Sequence, residues 1–344
     1  MEKTKMLKDL GLRIYSNKMI IKEVNGEAIN QDEKEIVEIC NRTFGVGSPS
    51  PENLHLFNQF LVETAEVIAK PRVDAVLGLL ADIETVPAGA VKFYKVPKTT
   101  EAKFLFTAKG TGVDLVRLSP DETSRPAVPQ SMTYGGYYEI TTFRADPIKA
   151  FKDAVDTLAN AKVEYYFDKV FEIIGVALAN GDIPQNNQKV GSNLTLAEFQ
   201  KVEQTMIRLT NGRPVFVGDM SLINHFANLI PTTQKDLLTD EIKDMLREEL
   251  IPTKISKTIA VNMPNTWIDE KNSKVRFDHK TGFVFPGAIA GKKPFAITEF
   301  GTKRQYSELD PVTEQVKLKI VFESDVTLLN GRYFGVIKDD SVTV

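Results

Sequence analysis

The longest regular pattern of apolar positions lies between Asp146 and Gly181. Phe151, Val155, Leu158, Tyr166, Val170, Phe171, Ile174 and Ala177 recur at spacings of three and four, one stripe at the helical period. Asp146 can cap free N–H groups, and Pro147 at the first helical position loses nothing by lacking its own. Gly181 supplies a left-handed stop. The pattern predicts a single helix over Asp146–Asn180, which at 1.5 Å per residue runs roughly 50 Å. A second stripe, Leu54, Phe57, Leu61, Ala65 and Ile68, predicts a helix over Pro51–Ala69 that ends before Pro71. Upstream, Gln31–Arg42 reads as a short helix and Phe44–Pro51 as a linker. Residues 1–50 read as an arm or, alternatively, as a small helical cap.

Between the two long helices the chain changes character. Phe93–Val96 and Lys103–Thr107 read as strands, Ala108–Gly112 as a turn and Val113–Leu118 as the return strand. The Pro-rich stretch Pro120–Pro129 is expected to form neither ladder nor helix. Tyr137–Phe143 is a β-rich lead-in to the long helix. Val91–Phe143 is therefore a projecting hairpin with too little apolar density for a closed lobe. After Gly181 and the polar loop Asp182–Asn193, Thr195 and Glu198 form a capping box for a helix over Thr195–Leu209. The turn Asn211–Pro214, a buried strand Val215–Gly218 and a helix Asp219–Leu229 follow, then a third helix Gln234–Leu250. This alternation predicts an α/β lobe. Further strands are expected at Thr258–Met263, Lys274–Phe277, Gly282–Phe285, Phe295–Phe300, Gln315–Phe322, Asp325–Leu329 and Arg332–Lys338, with Thr302–Pro311 as a charged loop.

Composition narrows the function classes. The chain has 344 residues, 42% of them apolar, which allows two or three lobes with a real core. A net charge of −3 argues against a generic polyanion binder. The single cysteine, Cys40, excludes a disulfide framework and a cysteine-based zinc site, and fits a reducing compartment. Nothing near the N-terminus has the apolar length of a signal peptide, and no stretch approaches about 18 apolar residues. A soluble chain made inside the cell is expected.

Candidate chemistry is sparse. The three histidines, His55, His225 and His279, lie in different segments and pair with nothing at metal-ligand spacing. Lys109-Gly110-Thr111-Gly112 joins two strands and lacks the phosphate-loop spacing. No Gly-x-Ser-x-Gly elbow occurs. Asp240/Glu241 and Glu248/Glu249 alternate with basic residues and read as a solvated face. Lys292-Lys293 and Lys303-Arg304 are too short for a nucleic-acid track. No catalytic, cofactor-binding or metal-binding residue is expected, and no cofactor.

The order of parts resembles the major capsid protein of tailed double-stranded DNA bacteriophages, the Hong Kong ninety-seven fold that encapsulins share. Phe57–Pro71 is similar to the helix before the hairpin, Lys103–Leu118 to the extended loop over a neighbouring subunit, and Pro147–Asn180 to the spine helix. Arg208–Leu229 resembles the entry to the axial domain, and Ala296–Phe322 the two long strands flanking a threefold loop. The resemblance implies an α+β capsid fold divided as follows: arm 1–50, leading helix 51–90, extended hairpin loop 91–145, spine helix and peripheral domain 146–194, axial domain 195–295, peripheral strands with threefold loop 296–325, and C-terminal axial strands 326–344. It implies hexamers and pentamers in an icosahedral shell around double-stranded DNA, held only by weak non-specific contact. A portal protein and a separate scaffolding protein are the further partners, since about 50 residues precede the first strong helix. The expected place is the virion, assembled in the host cytoplasm without a membrane. Inter-subunit contacts are expected from Lys103, Phe104, Phe106 and Lys109 on the hairpin, and from Lys303, Arg304, Glu308 and Asp310 around the threefold loop. An isopeptide link from a hairpin lysine is not expected, because Ala296–Asp325 holds no asparagine and Asn330 lies beyond it. The other readings are an encapsulin shell, another virion structural protein such as a tail tube, and an α/β enzyme.

Overall fold

A computed structural model describes residues 2–24, 27–45, 49–97, 122–230, 254–263, 265–287, 293–310 and 312–343. The chain opens with a helix that its sparse apolar positions do not announce, α1 (Glu2–Tyr15). A short hairpin, β1 (Ile21–Val24) with β2 (Glu27–Asn30), leads to α2 (Gln31–Phe44). Asn30 caps α2 by accepting from the Glu33 N–H. Arg13 grips the buried Asp32 with two hydrogen bonds of 2.9 Å, tying α1 to α2. Those bonds hold the Asp32 carboxyl below the usual carboxylate range. Leu10, Ile14, Ile36, Cys40 and Phe44 are buried against Leu54, Phe57, Phe60 and Leu61. The two helices thus form a packed cap on the body, the second of the two readings of residues 1–50.

The next helix, α3 (Pro51–Leu80), does not stop at Pro71 but runs through it. Proline there forfeits a bond to the Val67 carbonyl, a penalty of about 3 kcal/mol. Burial of Val73, Leu77 and Leu80 beyond it contributes about 1.5–3 kcal/mol per side chain and prevails. β3 (Ala81–Val86) follows, then β4 (Phe93–Pro97) and β5 (Glu122–Pro126), which pair antiparallel from Phe93↔Pro126 to Pro97↔Glu122. The Pro-rich stretch therefore does hold a ladder, with Pro126 at its last rung. β6 (Gln130–Glu139) starts earlier than Tyr137 and ends at Glu139, where α4 (Ile140–Ala145) takes over by burying Ile140 and Phe143.

The long helix is α5 (Pro147–Asn180), with the boundaries its pattern predicts. Asp146 accepts from the Lys149 N–H at 3.1 Å, and Gly181 closes the helix at φ 74°. Its first half buries Phe151 and Val155 among the cap residues. Its second half buries Tyr166, Phe167, Val170, Ile174 and Ala177 in a different core, shared with Leu77, Val217, Phe283 and Phe295.

Beyond Gly181 come β7 (Gln188–Gly191), α6 (Leu196–Thr210), β8 (Pro214–Gly218), α7 (Met220–Asn228), β9 (Lys254–Ile255), β10 (Thr258–Asn262) and β11 (Thr281–Pro286). β12 (Phe295–Asp310), β13 (Gln315–Leu328) and β14 (Gly335–Asp339) complete the chain. A six-stranded sheet has the order β7-β14-β11-β8-β10-β9. Its central strand β8 is buried throughout: Val215 and Val217 face the α5 core, whereas Phe216 faces Phe199 of α6 and Phe226 of α7. Thr195 and Glu198 cap α6 reciprocally, as expected. The helix expected at Gln234–Leu250 lies outside the described residues. Lys274–Phe277 is not a strand; only Val275 bridges to Trp267, because Asp269 accepts from the Ser273 and Lys274 N–H groups and turns the chain.

The second sheet has the order β3-β12-β13-β6. Here residues 302–310 of the expected charged loop are strand instead. β12 and β13 pair to Asp310↔Gln315, interrupted only by a register shift between Phe300 and Lys303. The charges there sit on long stems that pair across the ladder, so they cost the strand little. The turn itself is confined to the residues after Asp310, with Glu314 at φ 53°.

Candidate assembly surfaces

Of the expected contact residues, Lys103, Phe104, Phe106 and Lys109 lie outside the described residues. The root of their hairpin is firmly placed. Tyr94 Oη shares a 2.6 Å hydrogen bond with Thr298 Oγ1, Arg125 donates to the Leu328 carbonyl at 2.8 Å, and Lys92 pairs with Glu84. Val91, Phe93 and Val128 are exposed beside this root, Phe93 by 56%.

Lys303, Arg304, Glu308 and Asp310 are on β12, not on a loop, with Lys303 on one face and the other three on the opposite face. Lys303 turns toward the helices and pairs with Glu66 of α3. Arg304 pairs with Glu323 at 3.1 Å and Asp310 with Lys317 at 3.1 Å, both across to β13. Glu308 stands opposite Lys317 in the ladder. Three of the four therefore have partners within their own subunit, and the opposed charges do not wait for a neighbour. What the ribbon presents at its end is the turn, where Val312 is 88% exposed.

A charge network that the sequence did not reveal underlies this ribbon. Lys162 of α5 pairs with Glu299 at 2.8 Å, and Tyr166 donates to Glu299 at 2.6 Å. Glu66 lies 4.0 Å from the same lysine and also holds Lys303. Burial alone would raise the Glu299 carboxyl, but the Lys162 charge and the two hydrogen bonds outweigh it and hold the pKa below the ordinary value. Burial and Glu299 together push the Tyr166 phenol well up. The network clamps β12 to α3 and α5 on either side of the register shift. A cavity of about 160 Å³ beside it is lined by Val62, Met132, Leu158, Lys162, Ile320 and Phe322.

The far face of the same sheet carries Tyr137 and Tyr306, 67% and 54% exposed, around the bare floor of Gly135. In the other lobe, Asp339 is buried and accepts from the N–H groups of Asn193, Leu194 and Ser341 and from the Ser341 hydroxyl. Burial raises its pKa, yet these bonds prevail and lower it. His225 Nε2 stands 3.3 Å from it, while His279 Nε2 contacts the Val342 carbonyl at 3.2 Å. Among the described residues no three His, Cys, Asp or Glu side chains converge as a metal site, and no helix is long and apolar enough to cross a membrane.

The family described as "SPbeta prophage-derived putative capsid protein YonB" matches residues 6–338. A Bacillus subtilis (strain 168) protein, "SPbeta prophage-derived uncharacterized protein YonB", is 40% identical over 342 residues, 98% of each chain. A solved chain from Mycobacterium phage Adephagia superposes with a TM-score of 0.50 at 11% identity, over 78% of this chain and 90% of that one. The capsid structure of the Cyanophage P-SCSP1u gives a TM-score of 0.47 at 10% identity, over 77% and 88%. The fold is that of the Hong Kong ninety-seven capsid proteins.

Proposed function

The chain belongs to the prophage-derived YonB capsid family, and on that premise we propose that it is a major capsid protein that assembles into hexamers and pentamers of an icosahedral shell enclosing double-stranded DNA. Family and fold point to a structural, non-enzymatic virion protein. The observation that carries the finer reading is the plan of the subunit. One helix of 34 residues enters two separate cores, and the strand pair β4–β5 is tied to the body by Tyr94 and Arg125. A tile that must span distance and hold neighbours needs large contact area per subunit, and projecting elements supply it without a large body.

In this reading Lys103, Phe104, Phe106 and Lys109 rest on an adjacent subunit, with the exposed Phe93 and Val128 as the near edge of that contact. Lys303, Arg304, Glu308 and Asp310 stiffen the ribbon whose tip meets its copies at threefold points. A separate scaffolding protein guides closure, a portal protein occupies one vertex, and DNA is held without specific contacts, consistent with a net charge of −3. Co-expression with a scaffolding protein from the same prophage, followed by light scattering and negative-stain microscopy, tests this. Closed shells are expected; a stable monomer under all assembly conditions would overturn it.

A further inference from the structure

The four-stranded sheet has two edges, and they are treated differently. The β3 edge is six residues long and guarded by charge: Glu84 pairs with Lys92, and Asp82 with Lys293. The β6 edge is ten residues long, Gln130-Ser-Met-Thr-Tyr-Gly-Gly-Tyr-Tyr-Glu139, and among the described residues it pairs with β13 alone, in an unbroken register. It carries no proline, no lysine and no bulge, and its one charge, Glu139, is at the end. Those are the devices by which proteins keep a strand edge from pairing with another chain, and β6 has none of them. A bare edge roughly 33 Å long is a template for a further strand.

We infer that β6 pairs antiparallel with β6 of a second copy, across a twofold axis at Gly135. This rests on the shell reading, since an icosahedral shell places such twofold positions between neighbouring capsomers. The strand is self-complementary in that register. Gly135 meets the partner's Gly135, so nothing obstructs the approach of the two backbones at the axis; a Cβ there would find open space. On the outer face Thr133 stands opposite the partner's Tyr137, a favourable aromatic–β-branched pair, and the ring overhangs the gap at the glycines. Glu139 stands opposite the partner's Ser131, so the only charges meet no like charge. Tyr137, 67% exposed in the single subunit, gains a cover. One strand pair buries less than the roughly 1,200 Å² of a stable isolated complex, so the contact belongs to the assembled shell, where it repeats.

The test uses introduced cysteines, the native Cys40 being buried. Mild oxidation of shells made from the Gly135→Cys variant should yield covalent dimers. Shells mixed from Thr133→Cys and Tyr137→Cys subunits should cross-link, whereas neither variant alone should. Gly135→Lys should leave the subunit folded by circular dichroism and reduce shell yield at least tenfold, because two lysines then face each other at the axis. Normal shells of Gly135→Cys that give no covalent dimer would overturn the inference. So would preferential cross-linking of Gly135→Cys subunits to Thr111→Cys subunits in place of the symmetric dimer, which would assign the edge to that segment. If wild-type protein forms no shells, the functional reading fails and takes the edge pairing with it; normal shells of Gly135→Cys without the covalent dimer overturn the edge pairing alone.

Discussion

Lys162 lies in the middle of an apolar helical stripe, four residues after Leu158 and four before Tyr166, and its placement is explained by Glu299. Removing one member of such a pair leaves the other poorly compensated. Lys162→Met should therefore cost roughly 3 kcal/mol, read from urea unfolding. The same pair sets a pH dependence. The folded Glu299 carboxyl binds its proton less readily than in the unfolded chain. Its stabilisation is complete above the ordinary value near 4.5, and is lost as pH falls through the lower folded pKa. In Lys162→Met that carboxyl loses its main counter-charge and burial raises its pKa, so the destabilisation should be largest near neutral pH and shrink as pH falls and Glu299 takes up its proton. A loss of stability that does not change with pH would mean that Glu299 is held by something else. Along the chain this network shows itself only as a lysine in an apolar stripe. Its partners stand at positions 66, 299 and 303, and no local pattern links them.

At the scale of elements, legibility follows how far local signals agree. For α5 and α6 the period, the cap and the stop coincide, and the boundaries can be read directly. Thr195→Ala should lower stability by about 1 kcal/mol through loss of the cap. Gly181→Ala should cost about as much, since alanine is strained at φ 74°. Thermal denaturation of the two variants and their double, at sites on different elements, checks both magnitudes and their additivity. Where local and tertiary signals conflict, the tertiary term prevails. Pro71 reads as a stop, yet the apolar residues beyond it keep α3 going. The charges of 303–310 read as a loop, yet the ladder with β13, with Arg304 and Asp310 paired across it, makes a strand. That pairing is testable: Arg304→Glu should weaken the ribbon by about 0.5–1 kcal/mol at low salt, and Glu323→Arg in the same chain should restore it. Restoration instead by Glu308→Lys with Asp310→Lys, seen in shell yield alone, would place the contact between subunits.

For the whole molecule, the order of elements is the most legible property, because it needs only the type of each segment and not its exact ends. That order suffices for the capsid fold. It does not reveal which side chains meet, nor that the N-terminal residues pack as a cap. Deleting Lys109–Gly112 is expected to leave the subunit folded, since Tyr94, Arg125 and Lys92 hold the strand pair β4–β5 to the body. It should abolish closed shells in sedimentation velocity; normal shells would remove the hairpin from the set of contact arms.

The division of α5 between two cores has a mechanical consequence. Its first half is embedded with Phe57 and Phe143, its second with Phe283 and Phe295. A load applied at the cap reaches the six-stranded sheet along a hydrogen-bonded rod rather than through a soft connection. Neither end can melt without fraying the other, so the two cores should fail together. Hydrogen exchange should then show amides near Val155 and near Val170 opening in one event with one denaturant dependence. In the proposed shell, pressure from inside would meet a continuous strut, and the wall would yield at the joints between subunits before it yields within one.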